Sequence, residues 1–209
     1  MRKAYKYIIG IDEVGRGPIA GPVAVGAFIF LKPEAPRLFH GVKESKQLSQ
    51  EKREEWFGKI CDMCNIGDGD GRMIEKIVDF AVTFQSEKVI DSKGLSFAIK
   101  KSLEISLKKL TKKYKIKPEE VLILLDGGLK APYEYENQKT IIKGDVKKKV
   151  IALASICAKV LRDRRMIKLG KKYPEYGFEV HKGYGTRGHY RAIKEHGLIS
   201  LHRSSFCRK

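Results

Sequence analysis

The chain has 209 residues, 42% of them hydrophobic, which is enough for the buried core of one domain and argues against wholesale disorder. Its 43 lysines and arginines against 25 aspartates and glutamates give a formal net charge of +18, which favours a polyanionic partner, either nucleic acid or an acidic membrane surface. Four scattered cysteines (Cys61, Cys64, Cys157, Cys207) exclude a disulfide scaffold, and no apolar run approaches the ~20 residues of a membrane span.

In chain order, "YKYIIGID" (5–12) and "VAVGAFIFL" (23–31) read as neighbouring strands separated by a turn rich in Gly and Pro. The N-terminus ahead of Gly10 carries basic residues but no long apolar stretch, so a cytoplasmic protein is expected rather than a secreted one. From Ser49, a plausible N-cap, the pattern turns helical, with Trp56, Phe57, Ile60 and Cys64 on one face. "NIGDGDGR" (65–72) reads as a glycine-rich loop, with room for a short strand beside it. A longer helix is predicted over about 92–114, where Leu95, Ile99, Leu103, Leu107 and Leu110 recur at spacings of three and four. "VLILLD" (121–126) suits a central strand covered on both faces, and "KTIIKGD" (139–145) a weaker strand ending in an acid. "VIALASICAKVLRDRR" predicts a mostly buried helix, and Thr186 to Gly197 a short capped one. The alternation predicts an α/β domain whose sheet is covered by helices.

Three of the predicted strands end in carboxylates: Asp12 with Glu13, Asp126, and Asp145. Ligands of α/β sheets gather beyond strand ends, where loops diverge. Four acids converging there would repel one another unless divalent cations were held among them, and an all-oxygen set suits Mg²⁺ or Mn²⁺. Two such ions can activate a water and stabilise the leaving oxygen of a phosphodiester. Acids in a basic protein then have a use: they hold metal against a phosphate backbone. An Asp after a strand is also commonly a turn residue or cap. Adjacent strand residues point to opposite faces, so Asp12 and Glu13 share a site only if the backbone bends there, as Gly15 and Gly17 would allow.

"GIDEVGRGPIAGPVAVGAF" resembles the opening signature of ribonuclease HII, the type 2 RNase H family. The resemblance continues through "SKQLS" (45–49), "LLDGG" (124–128), "IIKGD" (141–145), "ASICAKVLRDR" (154–164), "HKGYGTRGH" (181–189) and "HRSSF" (202–206). It implies an RNase H-like fold, a mixed β-sheet flanked by helices, as one catalytic domain over 1–209 with a C-terminal helical, substrate-binding segment from about 170. It implies hydrolysis of the RNA strand of RNA–DNA hybrids, and cutting 5′ of ribonucleotides embedded in duplex DNA, with Mg²⁺ or Mn²⁺ as cofactor. The family's four metal-binding acids match Asp12, Glu13, Asp126 and Asp145. Gly15, Arg16 and Gly17 match its loop that contacts the ribose 2′-OH, and the arginine there separates the chain from ribonuclease HIII. Tyr184 matches the tyrosine that stacks on the sugar past the RNA–DNA junction, and Lys46, Ser155 and Lys159 match contacts to the phosphate backbone. A monomer is implied, and a sliding-clamp contact stays open.

The chain departs from the family pattern at Glu44, where Asp is usual, and in the helix near 87–100, which lacks an Asn-Ile pair. "CDMC" (61–64) has half a zinc spacing without a second half, "DGDGR" is read as a turn, and "KKLTKKYKIK" (108–117) as a solvated helix face. Two other functions stay open on residues alone. One is a structure-selective DNA nuclease of the same fold, the other a basic nucleic-acid-binding protein without catalysis.

Overall fold

The computed structural model of the protein describes residues 5–42, 45–65 and 76–207. The glycine-rich stretch 66–72 and the departure at Glu44 lie outside the described residues. In chain order the elements are β1 (Tyr7–Val14), β2 (Val23–Phe30), α1 (Ala35–Leu38), α2 (Gln50–Asn65), β3 (Val78–Gln85), α3 (Glu87–Lys93) and α4 (Leu95–Lys113). They continue with β4 (Val121–Asp126), β5 (Gln138–Ile141), α5 (Gly144–Lys147), α6 (Lys149–Lys172), α7 (Phe178–His181), α8 (Arg187–His196) and α9 (Ser204–Cys207).

The five strands form one mixed sheet in the order β3-β2-β1-β4-β5. β1 pairs antiparallel with β2 and parallel with β4, which in turn runs parallel to β5. Alternation divides the side chains between two cores. Ile9, Ile11, Val25, Ala27, Ile123 and Leu125 pack with Ile99, Leu103, Leu107 and Leu110 of α4. Phe28, Phe30 and Leu124 face the other way, onto Phe57 and Ile60 of α2 and Ile151, Leu153 and Ala154 of α6. A third, smaller cluster joins Ala20 and Met166 to Tyr176, Phe178 and Ala192 of the C-terminal segment.

Two glycines let α6 lie unusually close to the sheet. A Cβ on Gly10 would stand 2.3 Å from the Val150 carbonyl carbon, and one on Gly26 would stand 2.4 Å from the Ala154 oxygen. Such distances are closer than nonbonded atoms tolerate, so the helix backbone fills the space that side chains would need. Gly26 lies opposite Asp12 in the β1–β2 register. The buried helix is thereby pressed against the strand that carries the first acid.

Most predicted elements stand where the sequence put them. Ser49 Oγ accepts from the Lys52 amide at 3.2 Å at the start of α2, and Thr186 Oγ1 accepts from the His189 amide at 3.3 Å at the start of α8. The single helix expected over 92–114 is two helices, because Gly94 takes φ +84° and breaks the chain between α3 and α4. The strand expected to run to Asp145 ends at Ile141. Lys143 then turns left-handed at φ +54°, and Asp145 stands in the first turn of α5. β3, a full eight-residue strand, replaces the short strand allowed beside the glycine loop. Among the described residues, no helix is long and apolar enough to cross a membrane.

Candidate metal centre and nucleic-acid interface

Parallel pairing of Ile11 with Leu125 brings Asp12 and Asp126 side by side at the ends of neighbouring strands, both on the face covered by α6. Asp145 joins them through a backbone latch, in which the Gly144 amide donates to Asp126 Oδ1 at 2.6 Å. One carboxylate oxygen from each of Asp12, Asp126 and Asp145 lies within 4.8 Å of the others. Asp12 and Asp145 are buried and Asp126 is half-buried.

Glu13 stands apart from that trio. The β1–β2 register runs unbroken to Val14, so no bend brings Glu13 onto the Asp12 side. Its Oε1 pairs with Arg16 Nη1 at 2.9 Å, while its buried Oε2 has no hydrogen-bond partner. Burial raises its carboxyl above the ordinary range, the Arg16 pair pulls it down, and the charge of Asp126 raises it again. Glu13 therefore feels Asp126 electrostatically from the rim of the site.

Asp12 is the most perturbed of these acids. Burial pushes its carboxyl up to about 8, against the pull of a hydrogen bond from Ser155 and with a further push from Glu13 and Asp126. Ser155 lies on α6, and its hydroxyl is also 2.8 Å from Ser45 Oγ. With Ser155 donating to Asp12, Ser45 is the donor of that pair. Arg53 fixes the Ser45 turn by donating to the carbonyls of Ser45 at 2.9 Å and Leu48 at 2.5 Å. Ser155 is thus placed on a carboxylate of the cluster. Lys46 lies in the 3₁₀ turn Ser45–Gln47. Lys159, one turn along α6 from Ser155, pairs with buried Asp163 at 2.7 Å.

An all-oxygen set of three converging carboxylates, one of them with its charged form disfavoured chiefly by burial, and with a partnerless carboxylate oxygen of Glu13 at its rim, fits a hard divalent cation. The ion would supply the positive charge that the cluster lacks. Cys61 and Cys64 lie on α2, and neither belongs to a metal-ligating cluster among the described residues.

The Gly15–Arg16–Gly17 loop follows β1 directly, with Gly15 at φ +91°. A Cβ on Gly17 would lie 3.8 Å from Tyr184 Cε1, so the loop and the tyrosine ring, 43% exposed, form one surface beside the acids. From Arg16, a cavity of about 860 Å³ opens between α4 and residues 128–135, with Lys100, Lys108 and Lys130 among its lining.

Sequence reasoning gave no role to the residues that hold this surface together. Arg162, fully buried, donates to the carbonyls of Pro22 at 2.9 Å and Lys182 at 3.1 Å. Arg203, also fully buried, donates to the carbonyls of Gly15, Arg16 and Gly21. His189 Nδ1 meets the Tyr184 carbonyl at 2.9 Å and its Nε2 meets His202 Nε2 at 3.1 Å. One signal was available for Arg162: it follows Ser155 and Lys159 at i+7 and i+3, on the same face of the helix.

Comparison with known proteins gives a consistent picture. The family model described as Ribonuclease HII matches residues 9–209. The chain is 38% identical to a ribonuclease HII of Caldicellulosiruptor bescii over 206 residues, 99% of this chain and 89% of that one. It is 42% identical to a ribonuclease HII of Bacillus cereus over 206 residues, 98% of this chain and 70% of that one. Among solved structures, the PCNA:RNase HII complex from Archaeoglobus fulgidus has a chain that superposes with TM-score 0.68 at 25% identity, covering 94% of this chain and 93% of that one.

Proposed function

The chain belongs to the ribonuclease HII family, and on that footing we propose that it is an endoribonuclease that hydrolyses the RNA strand of RNA–DNA hybrids and cuts 5′ of single ribonucleotides in duplex DNA. The observation that carries this reading is the meeting of the Asp12, Asp126 and Asp145 carboxylates within 4.8 Å beside the Gly15–Gly17 loop. Asp12, Asp126 and Asp145 would hold divalent cations, with Glu13 contributing its partnerless oxygen from the rim. Mg²⁺ and Mn²⁺ both suit such a set. When bound, the metal supplies charge that stabilises a phosphodiester under attack and makes water a better nucleophile at neutral pH, the two-ion arrangement giving both at once.

The chain's own residues do the rest. Ser155 orients the Asp12 carboxylate, and the Gly144 amide orients that of Asp126. The backbone at Gly15, Arg16 and Gly17 approaches the sugar closely because glycine leaves it uncovered, and the 2′-OH is what tells RNA from DNA. Tyr184 offers a ring to stack on the next sugar and a hydroxyl to bond the 2′-OH. Lys46 and Lys159 lie on the elements that flank the acids and would meet backbone phosphates, whereas the buried Ser155 hydroxyl donates its hydrogen bond to Asp12 and would act on the substrate only through that carboxylate. Residues from about 170 serve as the substrate-binding segment of a single catalytic unit, since Ala20 bridges to His202 and Gly183 receives the amides of Ile19 and Ala20.

The test is a pair of DNA duplexes identical except for one ribonucleotide. The ribonucleotide duplex should be cut on its 5′ side, leaving 5′-phosphate and 3′-hydroxyl ends, while the all-DNA duplex stays whole. Equal cutting of both would make the protein a DNA nuclease, and tight binding without cutting would make it a binding protein. A cytoplasmic monomer belongs to the same reading, with sedimentation in the presence and absence of duplex as its check. PCNA is the partner of the ribonuclease HII in the Archaeoglobus fulgidus complex, and co-elution with a sliding clamp would test the same contact for this chain.

A further inference from the structure

Arg203 has no part in the proposed catalysis, yet it bonds the Gly15–Gly17 region more extensively than any group in the proposed site. Its side chain is fully buried. Nη2 donates to the Gly15 carbonyl at 2.7 Å, Nη1 to the Arg16 carbonyl at 3.0 Å, and Nε to the Gly21 carbonyl at 2.9 Å. Its own amide donates to the Ile19 carbonyl at 2.7 Å. One residue of the C-terminal segment thus fixes the path of the chain from Gly15 to Gly21. A buried charge is costly unless geometry repays it, and the planar guanidinium fork is suited to that repayment. Buried Glu87 adds a compensating charge nearby.

The orientation of these bonds has a consequence for the loop's other face. A trans peptide points its C=O and its N–H in opposite directions. With the carbonyls of Gly15 and Arg16 drawn to the guanidinium, the N–H groups of Arg16 and Gly17 point away from it. The loop then presents donors, which suit the lone pairs of a hydroxyl. His202, the preceding residue, reaches His189 and through it the Tyr184 carbonyl. The dipeptide His202–Arg203 therefore supports both parts of the exposed surface, Tyr184 and the loop.

We infer that Arg203 is a positioning residue for ribose recognition: it holds the Gly15 and Arg16 carbonyls inward so that the amides of Arg16 and Gly17 face the 2′-OH. This rests on the proposed reading of the loop as the sugar reader. Asp79 is the natural control, because it is also buried and holds three partners, the Phe80 amide, Lys113 and Tyr114, but lies on the edge strand β3 opposite Ile29, away from the loop.

The experiment compares wild type, Arg203→Lys and Asp79→Asn on duplexes with one ribonucleotide or none, recording kcat, KM and thermal unfolding for each. Wild type that cuts both duplexes equally would remove the sugar-reading site itself, whatever Arg203 does. Given a discriminating wild type, Arg203→Lys should compress the ribonucleotide preference in kcat/KM by at least about tenfold. Asp79→Asn should keep that preference at a comparable loss of melting temperature. The inference is overturned if Arg203→Lys discriminates as wild type does, or if both variants lose discrimination in step with stability. Should Arg203→Lys not fold, amide hydrogen exchange on wild type decides. The Arg16 and Gly17 amides should exchange fast in the free protein and slow only with the ribonucleotide duplex. Slow exchange in the free protein, or no protection on binding, overturns it equally.

Discussion

In the proposed site, Asp126 and Asp145 each have two jobs that substitution can separate. Asp126 Oδ1 accepts the Gly144 amide and Asp145 Oδ1 accepts the Val146 amide, and an asparagine oxygen can accept either bond. Asp126→Asn and Asp145→Asn should therefore fold normally and still bind hybrid, while a neutral amide serves poorly as a ligand for a hard cation. Cleavage should fall by more than about a hundredfold, the upper end of what loss of a partner outside the ligand set costs. Turnover near wild type in saturating Mg²⁺ would sink the metal site. Asp12 adds a prediction about pH. Its folded-state carboxyl sits at about 8 against an ordinary 3.8, so the folded protein binds the proton more tightly than the unfolded chain does. That contribution to stability is complete below pH 4 and is lost as pH rises toward 8. Metal-free wild type should lose melting temperature across this window, and Asp12→Asn should flatten the loss, with a difference of several degrees near pH 8. Added Mg²⁺ or Mn²⁺ should raise the wild-type midpoint at pH 8 more than that of Asp12→Asn. Identical pH profiles for the two proteins would contradict the burial argument. Tyr184 is simpler. Its ring is 43% exposed, so Tyr184→Phe keeps the stacking surface and removes one hydroxyl. A single hydrogen bond is worth roughly tenfold at most in kcat/KM on a one-ribonucleotide duplex. An unchanged value would take Tyr184 out of sugar reading.

Helix α6 is the element that turns a covered sheet into a site. It lies over Gly10 and Gly26 with no room for a side chain at either, and it carries Ser155 to Asp12 and Arg162 to the loop. Gly26→Ala must push Ala154 outward or bend β2, and overpacking of this kind costs about 1–3 kcal/mol. It should lower the melting temperature and also slow cleavage, because Ser155 moves with the same turn of helix. A stable variant with full activity would show that the close approach is incidental. These same residues mark what the sequence could disclose. Apolar spacing revealed the buried face of α4, and capping residues revealed the start of α2 and both ends of α8, because those signals are local. The acids were legible as strand ends, yet Asp145 reaches its place through a left-handed turn at Lys143 that no strand pattern encodes. Glu13 was expected to share the Asp12 side after a bend, whereas the pleat runs straight through to Val14. Arg203 stood in a quoted block, "HRSSF", but its role was invisible, since its partners lie more than 180 residues away in the chain.

At the scale of the whole molecule, two kinds of recognition are kept apart in space. The net charge of +18 acts on any polyanion, whether hybrid, RNA duplex or DNA duplex. Part of it is carried by exposed lysines of α4 and the residues just after it, including Lys108, Lys109, Lys112 and Lys117, which carry no information about the sugar. On the proposed reading, discrimination rests instead on the small surface of Gly15, Arg16, Gly17 and Tyr184, where short-range hydrogen bonds to the sugar would act. Salt weakens the first by competing for phosphates and leaves the second nearly untouched. Raising salt from about 50 to 200 mM should therefore reduce affinity for all three duplexes steeply and in parallel, by up to about a thousandfold if some six phosphates are engaged. Over the same range, the ratio of cleavage of a one-ribonucleotide duplex to that of its all-DNA counterpart, each at saturating substrate, should change by less than about threefold. Binding assays on the three duplexes and single-turnover cleavage on the matched pair measure the two quantities independently. A ratio that collapsed together with affinity would mean that the sugar is sensed through the electrostatic field, and the loop and tyrosine would then have no separate part in reading it.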